Sequence, residues 1–204
     1  MHRELIIYAG NQVDATRALV MIHGRGGSAE DILSLSQNLH VENYLLAAPQ
    51  ATGNSWYPKS FLAPQKENEP WLSSALDLVN MTVLAIIARG IGTENIYFLG
   101  FSQGACLTLE YVARNAKRYG GVVAFTGGLI GDHIDRTVYK GDFNNTPVFF
   151  GSSNPDIHVP VDRVHVSAEI FSQMDADVTE KIYPQMGHTI NQDEINNANI
   201  LIFK

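Results

Sequence analysis

An α/β fold, with a mostly parallel central sheet and helices on both faces, is the class predicted by this 204-residue sequence. Three observations lead there. Short apolar runs alternate with helix-patterned segments along the chain, the mark of strand–helix–strand crossovers. Most of these runs are continuous rather than alternating with polar residues, which suits strands covered on both faces. No internal repeat and no linker-like stretch interrupts the pattern, so residues 1–204 read as one domain. A hydrophobic content of 45% is enough to fill its core.

The strand-like runs are LIIY (5–8), ALVMIH (18–23), YLLAAP (44–49), IYFLGF (96–101), GVVAFTGG (121–128), PVFFGS (147–152) and EKIYP (180–184). After the second run, SAEDILSLSQNL (28–39) reads as a helix. Ser28 with Asp31 three residues on approximates a capping box, and Ile32, Leu35 and Leu39 share a face. EPWLSSALDLVNMTVLAIIARG (69–90) places Pro70 in a first turn and Gly90 at the close. QGACLTLEYVARNAKRYG (103–120) reads as a helix running to Gly120, and VDRVHVSAEIFSQM (161–174) repeats apolar residues at Val164, Ala168 and Phe171. The segment from Gln192 onward closes the chain as a helix with an Asn-rich middle. The longest irregular loop, TGNSWYPKSFLAPQKENE (52–69), holds Trp56, Tyr57 and Phe61, and long loops in compact domains are usually functional. The connection from Gly128 to Thr146 is short and polar, so no large lid domain is expected.

Charge narrows the partners. With 14 basic and 21 acidic residues the formal charge is −7, and the basic footprint that nucleic acid or anionic membrane requires is missing. No run approaches the ~20 apolar residues of a membrane helix, so no stable membrane association is expected. Cys106 is the sole cysteine, which excludes an internal disulfide and suits a reducing compartment. The opening MHRELIIYAGNQVD has too short an apolar stretch for a signal peptide, and the expected location is the cytoplasm.

The chemistry is concentrated in FLGFSQGAC (98–106), where an apolar run leads into G-x-S-x-G and a helical pattern follows. That context is the one a nucleophile elbow requires: Ser102 sits on a turn so tight that only small neighbours fit. A serine hydroxyl needs a base to take its proton and an acid to orient that base. On such a fold the chain order is Ser, then Asp or Glu, then His, each on a loop after a strand. Asp156 follows PVFFGS, and His188 follows EKIYP, so the order 102, 156, 188 is met at the carboxyl edge of a parallel sheet. Competitors exist. His158 is the nearest rival base, but it shares a loop with Asp156, whereas triad acid and base usually come from different loops. Asp132 and Asp135 could approach as the acid, although a solvated loop with an Asp helix cap explains them as well.

Acyl transfer also needs donors for the oxyanion of the tetrahedral intermediate. VMIHGRGG (20–27) is a strand running into H-G-x-G-G, the loop type that supplies one such amide. The candidate donors are the backbone N–H groups of Arg25 and Gln103, with His23 bracing the glycine loop. No H-E-x-x-H or C-x-x-C is present, and neither a P-loop nor a dinucleotide fingerprint follows a strand, so no metal and no cofactor are expected. Cys106, one turn past Ser102, reads as a small core residue.

In HGRGG, APQATGNSWYP, GFSQGA, SNPDIHVP and MGHTI, met in that order over nearly the whole chain, the sequence resembles the phospholipase/carboxylesterase family of α/β-hydrolases, which includes acyl-protein thioesterases and small bacterial esterases. The resemblance implies an α/β-hydrolase fold, Ser102, Asp156 and His188 as triad, Arg25 and Gln103 as oxyanion donors, and the Trp56 region beside the acyl pocket. Tyr57 and Phe61 join Trp56 as the expected substrate-binding aromatics. Arg25 stands where the eukaryotic thioesterases carry an apolar residue, and the loop after AP differs from theirs. That favours a carboxylesterase acting on a small-molecule ester over a depalmitoylase; the same triad would serve a thioesterase or lysophospholipase. A homodimer fits the resemblance, since small members of such families often pair. A catalytically silent binder on the same fold is the reading from a different class.

Overall fold

The computed structural model describes residues 1–204, and each apolar run becomes one strand. These are β1 (Ile6–Gly10), β2 (Arg17–Ile22), β3 (Tyr44–Pro49), β4 (Ile96–Phe101), β5 (Gly121–Phe125), β6 (Thr146–Asn154) and β7 (Ala176–Pro184). They form one sheet in the order β1-β3-β2-β4-β5-β6-β7. Every neighbouring pair is parallel except β1 with β3. The helices are α1 (Ala29–Ser34), α2 (Gln65–Asn68), α3 (Trp71–Ile87), α4 (Gln103–Arg114), α5 (Val161–Gln173) and α6 (Gln192–Leu201).

Alternate residues of each strand point to opposite layers. Val20, Phe98, Ala124 and Phe150 meet Val79 of α3, Leu109 of α4 and Phe171 of α5 on one face. Met21, Leu99, Val123 and Phe149 lie with Ile32 of α1 and Ala198 of α6 on the other. With both faces covered, the central strands must be apolar at every position, which is why their sequences read as unbroken runs. No large inserted domain interrupts the connections, and no helix is long and apolar enough to cross a membrane.

Local signals and structure agree closely at helix starts. Ser28 Oγ accepts from the Asp31 N–H at 3.1 Å, and Asp31 Oδ2 accepts from the Ser28 N–H at 2.9 Å, a complete capping box. Several boundaries move. The first helix tightens into a 3₁₀ turn from Leu35 to Asn38. Pro70 sits just outside α3 as its cap rather than within the first turn. The motif helix ends at Arg114, not near Gly120: Asn115 leaves helical geometry, and its Nδ2 donates to the Tyr111 carbonyl. Segment 52–69 is less irregular than its composition implies, containing a 3₁₀ turn (Thr52–Asn54) and α2. Strand β7 starts four residues before EKIYP, at Ala176, because an edge strand is only half covered and its polar–apolar alternation hides it. The asparagines of α6 have partners: Asn199 Oδ1 accepts from the His40 N–H, and its Nδ2 donates to the Asn38 carbonyl.

Helix α6 also carries a buried acid. Its cap is reciprocal, with Asn191 Oδ1 accepting from the Glu194 N–H and Glu194 Oε2 accepting from the Asn191 N–H. Glu194 is fully buried against Gly151 of β6, and its Oε1 has no hydrogen-bond partner. Burial pushes its carboxyl up to about 7, with the Asn191 N–H opposing. A carboxyl whose folded pKa lies above its unfolded value contributes most below the unfolded value, and that contribution is lost as pH rises through the folded one. Thermal unfolding followed from pH 4.5 to 8.5 should therefore show stability falling up to about pH 7 and levelling off above it, a loss of at most about 3 kcal/mol. Glu194→Gln, which keeps the cap, should flatten that fall; an unchanged slope would mean that Glu194 is ionised throughout.

Candidate active site

The central strand β4 ends at Phe101, and the next residue, Ser102, adopts φ 55° and ψ −121° before α4 begins. A non-glycine residue in that region is strained by roughly 1–3 kcal/mol, and only firm surroundings hold it there. The two flanking glycines are those surroundings. A Cβ on Gly104 would collide with the carbonyl oxygens of Ile22 and His23 at the end of β2. A Cβ on Gly100 would strike the backbone of Gly104 and the hydroxyl of Thr108. Strand and helix thus approach closely enough to fold the chain back at Ser102 and turn its hydroxyl outward.

Two further loops leave the same sheet edge. Parallel pairing of β6 with β7 runs as far as Asn154 opposite Pro184, so the segments carrying Asp156 and His188 depart side by side. His188 Nε2 lies 2.8 Å from Ser102 Oγ, and His188 Nδ1 lies 2.9 Å from Asp156 Oδ2. The other carboxylate oxygen of Asp156 accepts from the N–H groups of His158 and Val159, each at 2.8 Å. Burial of this carboxylate works to raise its pKa, but those two amides and His188 outweigh it and hold the group below the usual range. Asp156 therefore stays ionised and holds a proton on His188 Nδ1, so that Nε2 faces the serine hydroxyl as acceptor.

None of the rival side chains joins this hydrogen-bonded chain. The exposed His158 ring stands edge-on to His188, with centroids 4.8 Å apart, and its backbone, not its ring, serves Asp156. Asp132 lies beside His133, and Asp135 caps the 3₁₀ turn Arg136–Val138. A residue without any sequence signal joins the two loops: buried Ser153 donates from Oγ to the Pro155 carbonyl and accepts from the Gly187 N–H.

The glycine loop after β2 lies directly against the serine, since a Cβ on Gly24 would come within 3.4 Å of Ser102 Cβ. His23 braces it. Nε2 accepts from the Ala51 N–H, so Nδ1 carries the proton and donates to the Gly24 carbonyl at 2.7 Å. Burial lowers the His23 pKa and keeps this tautomer neutral. The N–H groups of Arg25 and Gln103 bond to no backbone carbonyl, Gln103 being the first residue of α4.

The side chains of Arg25 and Gln103 act on segment 55–59. Arg25 donates to the Tyr57, Pro58 and Lys59 carbonyls and to Ser55 Oγ. Gln103 Oε1 accepts from the Trp56 N–H, and its Nε2 donates to the Tyr57 carbonyl. Together they shape a cavity of about 380 Å³ whose walls include Tyr57, Phe61, Cys106, Val159 and His158, with Ser102 and His188 at one side. Of the three expected aromatics, Tyr57 and Phe61 line it and Trp56 does not. Trp56 is fully buried and donates from Nε1 to the His23 carbonyl, supporting the glycine loop from beneath. Cys106 is buried at the cavity floor, where loss of hydration pushes its thiol up to about 12 and keeps it protonated. No group of three or more His, Cys, Asp or Glu side chains converges in a way that could hold a metal ion.

A seven-stranded, mostly parallel sheet with a strained serine turn and a Ser–His–Asp hydrogen-bonded chain at its carboxyl edge defines an α/β-hydrolase. Within that class the chain belongs to the phospholipase/carboxylesterase family, whose model matches residues 4–202, and so to the ester hydrolases. It is similar to a phospholipase/carboxylesterase from Dyadobacter fermentans whose crystal structure is 54% identical, with a TM-score of 0.99 over 100% of this chain and 98% of that one. It is 27% identical to acyl-protein thioesterase 1 of Saccharomyces cerevisiae, over 93% of each chain. It is also 27% identical to the "Probable carboxylesterase SOBER1-like" protein of Arabidopsis thaliana, over 87% of this chain and 74% of that one.

The packing at the serine turn can be tested. Gly104→Ala should destabilise the fold by about 3 kcal/mol or more, because its methyl meets backbone rather than a movable side chain. Denaturant titration of the variant against wild type would measure the loss. A cost under about 0.5 kcal/mol would mean that α4 can move away from β2 without resistance.

Proposed function

We propose that the protein is a serine carboxylesterase that hydrolyses short-to-medium acyl esters through an acyl-enzyme on Ser102. The observation that carries this reading is the unbroken hydrogen-bonded chain from Asp156 through His188 to Ser102 Oγ beside a cavity. In this mechanism Nε2 of His188 takes the serine proton as Oγ attacks the ester carbonyl. The oxyanion that forms is held by the Arg25 and Gln103 amides, helped by the positive end of α4. The Nε2 proton then passes to the leaving alkoxide, and the acyl group stays on Ser102. Water enters, loses its proton to the same nitrogen and releases the acid. Ionised Asp156 stabilises the imidazolium in both halves.

Cavity dimensions support small acyl groups. Its volume lies at the lower end of the ~300–1,000 Å³ usual for small-molecule sites. Its floor at Cys106 is one helical turn, about 6 Å of axis, beyond Ser102. A thioesterase acting on acylated protein is the second reading, favoured by the name of the yeast relative. It uses the same residues on a longer chain.

One experiment tests the catalytic assignment and a second separates the two readings. Ser102→Ala and His188→Ala should each lower kcat by about 10⁶-fold with the fold retained and abolish labelling by a fluorophosphonate, whereas His158→Ala should cost less than about tenfold. Labelling that survives loss of Ser102, or a larger loss with His158 than with His188, would overturn the assignment. A p-nitrophenyl ester series from acetate to palmitate, assayed below and above micelle formation, should give highest kcat/KM at a short or medium chain without micellar activation. Highest kcat/KM at palmitate would favour the thioesterase reading.

A further inference from the structure

Across the sheet edge from the acyl cavity lies a second hollow of about 310 Å³. Its apolar walls are Ile32 of α1, Leu35 just beyond it, Phe101 at the end of β4, and Ile190 two residues past His188. The two hollows belong to opposite layers. Tyr57, Phe61 and Cys106 lie with the α3–α4–α5 layer, whereas Ile32, Leu35, Phe101 and Ile190 lie with the α1–α6 layer. Arg25 is the only residue lining both, and Gly24 in the second hollow abuts Ser102. An ester whose carbonyl oxygen points at the Arg25 amide would thus have one substituent on each side.

We propose that this second hollow holds the alcohol portion of the substrate, and that the alcohol is apolar and uncharged. The inference rests on the esterase reading given above. Three observations assign the sides. The acyl group must remain through the second half of the reaction, and the cavity floored by Tyr57 and Cys106, each 1% exposed, is the more enclosed of the two. The alcohol must leave first, and Leu35, Phe101 and Ile190 are only partly buried, so their hollow opens to solvent. The alcohol must also lie beside the nitrogen that protonates it, and the Phe101 ring packs on His188 with centroids 5.4 Å apart. Charge assigns the class. Asp31 at the rim already accepts from the Ser28 N–H, and the Arg25 guanidinium is spent on loop carbonyls. With that cation turned onto carbonyls, the wall left for the alcohol is predominantly apolar.

The test uses n-alkyl butyrates from methyl to hexyl, whose leaving groups match in basicity, followed by pH-stat with the intact protein. In wild type, kcat/KM should rise by up to about fourfold per methylene until the hollow is full. Leu35→Trp, or Ser34→Trp from the exposed rim should the first variant fold poorly, should collapse the hexyl-to-methyl ratio toward one. The hexanoate-to-acetate ratio of methyl esters should keep its wild-type value in the same variant. A flat alcohol series in wild type, or a Trp variant that alters acyl rather than alcohol preference, would overturn the assignment while leaving the esterase intact. Hydrolysis of none of these esters would remove both.

Discussion

The close approach of α4 to β2 is the contact on which the site depends. Gly104 lies so near the carbonyls of Ile22 and His23 that no side chain fits between them. From that one distance follow the backfolded turn at Ser102, the outward direction of its hydroxyl, and the placement of the first α4 amide beside the glycine loop. The layers behind it supply rigidity: β4 is central in the sheet, Ile96 to Leu99 are at most 9% exposed, and α4 is buried along most of its length. Strain at Ser102 is affordable because its neighbours cannot relax.

A second layer of organisation links the glycine loop and the start of α4 to the wall of the cavity beside Ser102. In the proposed mechanism Arg25 and Gln103 offer their main chain to the reacting carbonyl, and their side chains grip segment 55–59. Trp56 completes the arrangement from below, its indole on the His23 carbonyl and its amide on Gln103. A shift in the cavity wall would therefore be felt at the donors. The aromatic most conspicuous in the sequence supports the site from behind rather than lining the cavity.

How much of this was legible beforehand follows from where the determinants lie. Strands and motifs could be read because central parallel strands must be apolar on both faces, and because an elbow needs Gly100, Ser102 and Gly104 at fixed spacing. The antiparallel pairing of β1 could not be read, since pairing direction has no signature in a five-residue strand. The early start of β7 was hidden by half-exposure. Ser153 was invisible because its role depends on two loops meeting in space. Arg25 and Gln103 were singled out for their amides, yet their side-chain roles depend on carbonyls 32 to 46 residues away along the chain.

The order of the triad along the chain gives the site a particular fragility. His188, the base of the proposed mechanism, is mounted just past β7, which is an edge strand paired only with β6. Edge elements open more readily than central ones, and they can do so without the core melting. Ser102 and its donors, by contrast, stand over the middle of the sheet. Partial unfolding would thus begin by detaching the proton acceptor from a nucleophile still in place. It would leave a compact but inert particle, so the temperature at which turnover fails need not be the temperature at which the protein unfolds.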